Sequence, residues 1–262
     1  MRVTAIMNLK GGTGKTITAI NVGAIMAREW AQRVLLADAD SQANLTEFVT
    51  DGLLPDGISL GGMTDLLQKG EAFPVATNLK NVQLLHADET LMGLDISTAQ
   101  NGKSNPMALA EWLGTKEVQD RYDRCVIDCP PAFSAAAMAA LIAADEVVIP
   151  VKLDAFGIRG VSNLVEQIRN MRSINPDLEI AGVLPTMYYS THEQKEALDL
   201  LRGRLARMYI RTFHAIRRSV KVDDSTFAQY PLIVSSPKSK ATHDYKLLVR
   251  DLMTEGGEDD GV

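Results

Sequence analysis

The sequence predicts an α/β fold in which helices cover both faces of a mostly parallel, twisted β-sheet. Short apolar runs alternate along the chain with segments of helical periodicity. These apolar runs are continuous, as is typical of strands that are buried on both faces. A glycine-rich loop, Lys10 to Thr16, separates the first apolar run from the first helical segment. With 262 residues, 46% of them apolar, the chain can bury a large core as one α/β domain.

Each element is predicted from its own hydrophobic pattern. Apolar runs predict strands over residues 3–7, 33–37, 82–85, 125–127, 146–151 and 180–184. Helical periodicity predicts helices over residues 16–30, 106–113, 135–143, 161–172, 193–208 and 244–253. We expect one domain over residues 1–254 and an acidic, disordered tail over residues 255–262.

Composition argues against several classes of protein. The longest apolar run, Ala135 to Ala144, is too short to span a bilayer, and no secretory apolar region precedes Lys10. We therefore expect a cytoplasmic protein. Cys125 and Cys129 flank a predicted buried strand, which favours a structural role over a disulfide or a metal site. The four histidines lack the spacing of metal ligands.

The loop Lys10 to Thr16 has the composition of a phosphate-binding loop. Its glycines let backbone N–H groups converge on phosphates, and the following helix adds the positive end of its dipole. Lys15 is expected to reach the β- and γ-phosphates, and the Thr16 hydroxyl to bind Mg²⁺. Leu9 stands where the general pattern has glycine, and Lys10 adds a second cation. Since one cation can serve the phosphates of its own chain, the second indicates another role.

Acidic residues end two of the predicted strands. Asp38 and Asp40 follow the second strand, and Asp128 ends the strand that begins near Cys125. In an open parallel sheet, ligands bind beyond the carboxyl ends of the strands, where the glycine-rich loop also lies. Strand-end aspartates often only cap the next turn, but their order relative to the loop favours a nucleotide site. Asp128 is expected to bind Mg²⁺ through water.

Charge is distributed unevenly along the chain. The net charge is −6, but residues 200–250 contain eleven cations and three acids, which leaves −14 on the remainder. This asymmetry indicates a polyanion-binding face on an acidic protein. A solvated helical surface would have the same composition, so charge alone does not choose between the two.

The ordered motifs resemble those of the ParA/Soj partition ATPases, a group with a deviant Walker A motif within the MinD/ParA superfamily of P-loop NTPases. The resemblance extends over nearly the whole chain and rests on residues 10–16, 34–46, 128–131, 144–151, 182–188 and 237–239. Since the first strand starts the sequence, the chain resembles the short type without an N-terminal helix-turn-helix.

The resemblance implies a weak ATPase that uses ATP and Mg²⁺ as a switch. Lys10 resembles the signature lysine that crosses an ATP-bound sandwich homodimer to the partner's phosphates. Asp40 resembles the residue that positions the attacking water, with Asp38 supporting it and Lys15 acting on the phosphates. The implied nucleotide ligands are Lys10, Gly11, Gly12, Thr13, Gly14, Lys15, Thr16, Ile17 and Met187, and the implied Mg²⁺ site comprises Thr16, Asp40 and Asp128.

The resemblance also implies partners. The dimer would bind DNA without sequence preference, on the nucleoid, and a ParB-type centromere-binding protein would stimulate hydrolysis to move plasmid or chromosome cargo. The implied DNA-binding residues are Arg217, Arg218, Lys221, Lys238 and Lys240. Asp223 and Asp224 depart from the family pattern beside these cations. Further departures are Thr13 for valine, Ile17 for threonine, Ser41 for proline and Ala43 for glycine.

Two other functions are compatible with the same scaffold. A MinD-like, membrane-cycling regulator of division-site placement needs a basic amphipathic C-terminal helix, whereas this chain ends in acidic residues that anionic lipid would repel. The other alternative is a metabolic enzyme on the same scaffold, such as a biotin-pathway ligase or an iron–sulfur reductase. The reductase needs paired cluster cysteines at a dimer interface, and Cys129 lies instead beside Asp128.

Overall fold

A computed structural model describes residues 1–51, 54, 61–94 and 104–254 of the chain. Within these ranges the strands are β1 (Arg2–Ile6), β2 (Val34–Asp38), β3 (Val75–Ala76), β4 (Val82–Leu85), β5 (Arg124–Asp128), β6 (Glu146–Lys152) and β7 (Glu179–Thr186). They form one sheet in the order β3-β4-β2-β5-β1-β6-β7. All neighbouring strands pair in parallel except β3 and β4, which pair antiparallel at one edge.

Helices connect the strands. In chain order they are α1 (Lys15–Glu29), α2 (Asn44–Val49), α3 (Met63–Lys69), α4 (Ala108–Leu113), α5 (Lys116–Arg121), α6 (Ala135–Ala143), α7 (Ala155–Asn170), α8 (His192–Arg207), α9 (Val220–Ala228), α10 (Leu232–Ser235) and α11 (Lys240–Thr254). A 3₁₀ turn, Met171–Ser173, extends α7, and residues 90–94 are also helical.

The sheet separates two hydrophobic cores because consecutive strand residues point to opposite faces. Ala5 of β1 and Leu35 of β2 belong to one core, together with residues of α4, α6 and α7. Ile6 and Leu36, the next residues along these strands, belong to the other core with residues of α1 and α11. Burial on both faces explains why the strands contain continuous apolar runs.

The predicted α/β fold with a mostly parallel sheet is confirmed. Six strands lie where they were predicted, with ends that differ by at most two residues. The two-residue strand β3 was not predicted, and α7 begins at Ala155 rather than at Val161. The Asp154 side chain caps α7 by accepting a hydrogen bond from the N–H of Gly157. A side-chain cap of this kind lets the helix begin before its first regularly spaced apolar residues.

Two sequence expectations concern the ends of the domain. The predicted acidic tail, residues 255–262, lies outside the described residues, so both the disordered tail and the single domain over residues 1–254 stay predictions. Within the described ranges, no helix is both long enough and apolar enough to cross a membrane.

Gly182 in β7 provides a test of the packing between the sheet and its neighbours. Its φ is 157°, and an added Cβ would lie 2.7 Å from Cε2 of Phe213 and 3.0 Å from the carbonyl oxygen of Arg211. We expect Gly182→Ala to lower the free energy of unfolding by about 2–3 kcal/mol in a urea titration, because the buried ring and the backbone must both shift.

Gly203 of α8 is the matched control, because an added Cβ there meets nothing within 4 Å. Gly203→Ala should instead raise the free energy of unfolding by about 0.5–1 kcal/mol, as alanine favours the helix. Equal effects of the two substitutions would contradict the packing that is described for Gly182.

Candidate active site

The glycine-rich loop between β1 and α1 is anchored to the sheet at both of its ends. The Asn8 side-chain amide donates to the carbonyl of Pro150 in β6 at 2.6 Å, and its Oδ1 accepts from the N–H of Lys10 at 2.9 Å. On the other side, the Thr186 hydroxyl at the end of β7 donates to the carbonyl of Thr13 at 2.8 Å. Hydrogen bonds to β6 and β7 thus fix the loop at the carboxyl edge of the sheet.

Two glycines give the loop its shape. Gly12 has φ 68° and Gly14 has φ 87°, both in the left-handed region that side chains disfavour. Gly14 is the N-cap of α1 and, as a glycine, provides no side-chain cap for this helix end. The first N–H groups of a 15-residue helix therefore remain available to an anion, as phosphate binding requires.

Lys15 lies inside this loop. Its side chain is 7% exposed, and Nζ donates to the carbonyl of Lys10 at 3.3 Å. Burial lowers the pKa of Lys15 below its ordinary value, and the charges of Asp128 and Asp40 oppose this shift. A buried cation beside carboxylates, at the N-terminus of a helix, can neutralise phosphate charge with little reorganisation.

Asp38 and Asp128 are neighbours, because β2 and β5 pair in parallel with these two residues in register. Asp38 is fully buried and well satisfied: its Oδ2 accepts from the N–H of Thr46 at 2.9 Å and from its hydroxyl at 2.8 Å, and its Oδ1 accepts from the N–H of Asp40 at 3.1 Å. Burial raises the pKa of Asp38 above its ordinary value, although the hydrogen bonds from Thr46 oppose the shift.

Asp128 is buried without such support. It is 1% exposed, and among the described residues neither of its carboxylate oxygens has a hydrogen-bond partner. Burial and the adjacent Asp38 raise the pKa of Asp128 well above its ordinary value. The Thr16 hydroxyl and Lys15 oppose this shift, but Thr16 does not complete a hydrogen bond with good geometry.

An unpartnered buried carboxylate beside a threonine hydroxyl fits a hard cation such as Mg²⁺. Asp128 and Thr16 would hold the ion at the site. Asp40, whose N–H donates to Asp38, would complete the set of protein groups around it. The described residues contain no group of three or more His, Cys, Asp or Glu side chains that could hold a metal ion by themselves. Phosphate and water oxygens would therefore supply most of the ligands, as Mg²⁺ prefers.

Asp40 lies in a tight turn between β2 and α2. Its carboxylate accepts from the N–H of Gln42 at 3.0 Å, and its carbonyl accepts from the N–H of Ala43 at 2.9 Å. Ala43 caps α2 with φ 51°, the left-handed conformation that glycine adopts at least cost. Alanine at this position, where the family pattern has glycine, therefore fits with some backbone strain.

Lys10 projects from the front of the loop. Its Nζ lies 2.9 Å from each carboxylate oxygen of Asp154, at the junction of β6 and α7. Burial alone would raise the pKa of Asp154, but hydrogen bonds from Lys10 and from the N–H of Gly157 outweigh it and lower this pKa. Asp154 was not found from the sequence. It follows the end of a strand, as Asp40 does, and that position was the signal that could have identified it.

Met187 lies beyond the end of β7, next to Thr186. It adopts φ 53°, and the following residue, Tyr188, donates its N–H to the carbonyl of Ile216 at 3.0 Å. The hydrogen bond from Thr186 to Thr13 places Met187 one residue from a contact with the glycine-rich loop. This position is compatible with the predicted contact between Met187 and a nucleotide, and that contact stays a prediction.

All five cations that were assigned to DNA line one cleft of about 780 Å³. Arg217 and Arg218 lie in the α8–α9 connection, and Lys221 lies in α9. Lys238 lies just before α11, and Lys240 is its first residue. Tyr188 and Tyr189 form the wall towards β7. The structure thus brings together residues that lie up to 23 positions apart in sequence, from Arg217 to Lys240.

Three of these cations have acidic partners in their own chain. Arg217 is held in place, because its guanidinium donates to both carboxylate oxygens of the buried Asp244, at 2.6 and 2.9 Å. Arg218 pairs with Asp223 at 2.6 Å, and Lys221 pairs with Asp224 at 2.9 Å. The two acids that depart from the family pattern therefore offset part of the positive charge of the cleft.

The two cysteines and His86 are buried. Cys125 and Cys129 are free thiols, both fully buried, and burial raises the pKa of each well above its ordinary value. His86 is buried, and neither of its ring nitrogens has a hydrogen-bond partner among the described residues. Burial lowers the pKa of His86, with Asp88 and Asp65 opposing the shift.

The site defines a class of protein: a P-loop nucleotide-binding protein whose loop holds one buried lysine and one at its front edge. Comparison with known proteins agrees with this class. The AAA domain family matches residues 1–180. The chromosome partitioning protein ParA of Caulobacter vibrioides is 32% identical over 260 residues, which cover 97% of this chain and 94% of that protein.

Two further relatives have similar lengths. Soj of Bacillus subtilis, a sporulation initiation inhibitor protein, is 30% identical over 97% of this chain and 99% of its own length. The chromosome-partitioning ATPase Soj of Thermus thermophilus is 33% identical over 97% of this chain and 96% of its own. The chain therefore belongs to the ParA/Soj family of P-loop ATPases.

Solved structures share the fold. Apo McdA of Cyanothece superimposes with a TM-score of 0.82 at 23% identity, over 96% of this chain and 99% of that one. A cobyrinic acid a,c-diamide synthase of Mycobacterium smegmatis, with a bound ATP analogue and magnesium, superimposes with a TM-score of 0.79 at 27% identity, over 98% and 96% of the two chains. The cell division ATPase MinD of Pyrococcus furiosus gives 0.76 at 22% identity, over 97% and 99%.

The unpartnered carboxylate of Asp128 leads to a prediction about stability. Asp128→Asn should raise the free energy of unfolding of the nucleotide-free protein by about 1–2 kcal/mol, because it removes a buried charge next to Asp38. The same variant should lose Mg²⁺-dependent ATP hydrolysis. Urea unfolding without nucleotide, and phosphate release with and without Mg²⁺, measure the two effects.

Asp38→Asn is the matched control on the neighbouring strand. Because Asp38 accepts three hydrogen bonds, its replacement should lower the free energy of unfolding by about 1–3 kcal/mol. If both variants destabilised the protein equally, the contrast between the two carboxylates would be wrong.

Proposed function

We propose that the protein is an ATP-dependent DNA-partition ATPase, in which ATP closes a homodimer that binds DNA without sequence preference. The observation that carries this proposal is the pair of lysines on one phosphate loop. Lys15 is buried inside the loop, whereas Lys10 lies at its front with a side chain that is 40% exposed. The similarity to partition proteins over nearly the full chain supports the same function.

Hydrolysis is proposed to depend on positioning and charge neutralisation. Backbone N–H groups of residues 11–16 and the Lys15 ammonium would hold the phosphates, while Thr16 and Asp128 would hold Mg²⁺. Asp40 would orient the attacking water, and Asp38 supports Asp40 through the hydrogen bond to its N–H. Since this arrangement contains no strong general base, we expect slow hydrolysis that a partner can stimulate.

ATP binding would control whether the protein is a monomer or a dimer. In this proposal Lys10 leaves its own loop and reaches the phosphates that are bound to the second protomer, so that the dimer forms only when γ-phosphate is present. Two such contacts, one from each protomer, would close the interface. A single lysine within the loop would suffice for binding and hydrolysis in a monomer.

The cleft that contains Arg218, Lys221, Lys238 and Lys240 is the proposed DNA-binding surface. Contacts to phosphates carry little sequence information, which fits non-specific binding. Dimerisation would double the number of cations that face one duplex. A bound dimer would be located on the nucleoid in the cytoplasm, and a ParB-type centromere-binding protein would trigger hydrolysis and release.

Lys10→Ala tests the switch. With a nonhydrolysable ATP analogue and Mg²⁺, we expect the wild type to sediment as a dimer. Lys10→Ala should weaken the dimer about 1,000-fold or more, because two charge contacts worth about 2–5 kcal/mol each are lost. Lys116→Ala, at an exposed lysine of α5, is the control and should dimerise as the wild type does. A dimer that is indifferent to both nucleotide and Lys10 would exclude this mechanism.

The basic cleft is tested by the salt dependence of DNA binding. The double variant Arg218→Ala/Lys221→Ala should reduce the slope of log K against log[salt] by about 2 for each protomer that contacts phosphate. Asp224→Asn should increase DNA affinity at low salt, since it frees Lys221 from its ion pair. Arg33→Ala removes an exposed cation that pairs with Asp123 next to the amino end of β5, and it serves as the control. Binding that is unchanged in the double variant would place the DNA elsewhere.

A further inference from the structure

Asp154 holds the ammonium of Lys10 in a defined position. Both carboxylate oxygens lie 2.9 Å from Nζ of Lys10, and the two side chains are 40% and 31% exposed. The carboxylate is itself anchored, because its Oδ1 accepts from the N–H of Gly157 at 2.7 Å and so caps α7. Lys10 therefore contacts an acid whose position is fixed by a 16-residue helix.

This contact opposes the role that is proposed for Lys10 in the dimer. An ammonium has three N–H donors, and Nζ of Lys10 donates to both carboxylate oxygens of Asp154. If Lys10 kept this contact, the carboxylate would lie beside an incoming triphosphate and repel it. Lys10 must therefore separate from Asp154 before it can bind the phosphates of a second protomer.

We propose that Asp154 is a positioning residue that retains Lys10 in its own protomer and so sets the concentration at which the ATP-bound dimer forms. The inference rests on the proposed function, because it assumes that Lys10 crosses the interface. Only protomers with a released Lys10 are competent to pair, and the apparent dissociation constant rises as this fraction falls. Because each dimer needs two released lysines, Asp154 of each protomer contributes to the apparent dissociation constant of the dimer.

Asp154→Asn is the variant of choice. Asparagine is as good an N-cap as aspartate, so α7 keeps its cap while Lys10 loses the charge of its partner. With a nonhydrolysable ATP analogue and Mg²⁺, we expect the dimer dissociation constant to fall about threefold to tenfold, the range expected for two half-exposed ion pairs. Sedimentation velocity over a series of protein concentrations measures it. Asp154→Ser, which also caps a helix, is a second variant in case the first does not fold.

Three comparisons separate this role from a structural one. The affinity of the monomer for a fluorescent ADP analogue, measured below the dimerisation range, should not follow the change in dimer affinity. In a Lys10→Ala background, Asp154→Asn should give no gain in dimerisation, because its effect acts through Lys10. Asp123→Asn breaks the Arg33 ion pair, whose side chains are similarly exposed at 51% and 35%, and should leave the dimer unchanged.

The outcomes distinguish the inference from the proposed function. If the wild type forms no nucleotide-dependent dimer, the proposed function fails and the inference fails with it. If the wild type dimerises but Asp154→Asn dimerises equally or more weakly, only the inference is overturned. A gain that persists without Lys10 also overturns it, since Asp154 would then act by another route.

Discussion

Two carboxylates buried side by side are the constraint on which the site depends. Asp38 and Asp128 end neighbouring parallel strands in register, and burial alone would disfavour two negative charges there. The chain satisfies Asp38 with hydrogen bonds from Thr46 and the N–H of Asp40, but it leaves Asp128 without a partner among the described residues. Lys15 lowers the cost only in part, and a further cation such as Mg²⁺, with its phosphate ligands, would complete the site.

The remaining machinery is arranged around this edge of the sheet. Parallel pairing places the ends of β1, β2 and β5 together, so that the phosphate loop and the acidic residues converge although they are distant in sequence. Hydrogen bonds from Asn8 to β6 and from Thr186 to the loop hold the phosphate site rigid. Rigid anchoring suits phosphoryl transfer, in which positioned charge contributes more than a strong base does.

Ion pairs within the chain determine how much positive charge is available to partners. Lys10 contacts Asp154, Arg217 is bound by the buried Asp244, and Arg218 and Lys221 face Asp223 and Asp224. Half-exposed pairs of this kind contribute little to stability and open at small cost. They are therefore suited to contacts that an anionic ligand can later replace, whereas the pair between Arg217 and the buried Asp244 is suited to holding the cleft together.

Much of the fold and of the phosphate site could be predicted because their signals are local. The apolar run before the glycine-rich loop and the helical periodicity after it identified β1 and α1, and strand-end position identified Asp38, Asp40 and Asp128. Strand β3 was missed because two residues carry no periodicity. The start of α7 was missed because a cap at Asp154, and not an apolar stripe, begins that helix.

The sequence by itself determined the chemistry of the loop, since glycine conformations, the two lysines and the threonine follow one another within seven residues. Only the tertiary structure decided which charges meet. Lys10 and Asp154 are 144 residues apart, and Arg217 and Asp244 are 27 apart. The first pair forms because β1 and β6 are neighbouring parallel strands whose carboxyl ends lie at one edge, and no local pattern encodes that approach. The second lysine of the loop is therefore read from the sequence, and its partner only from the fold.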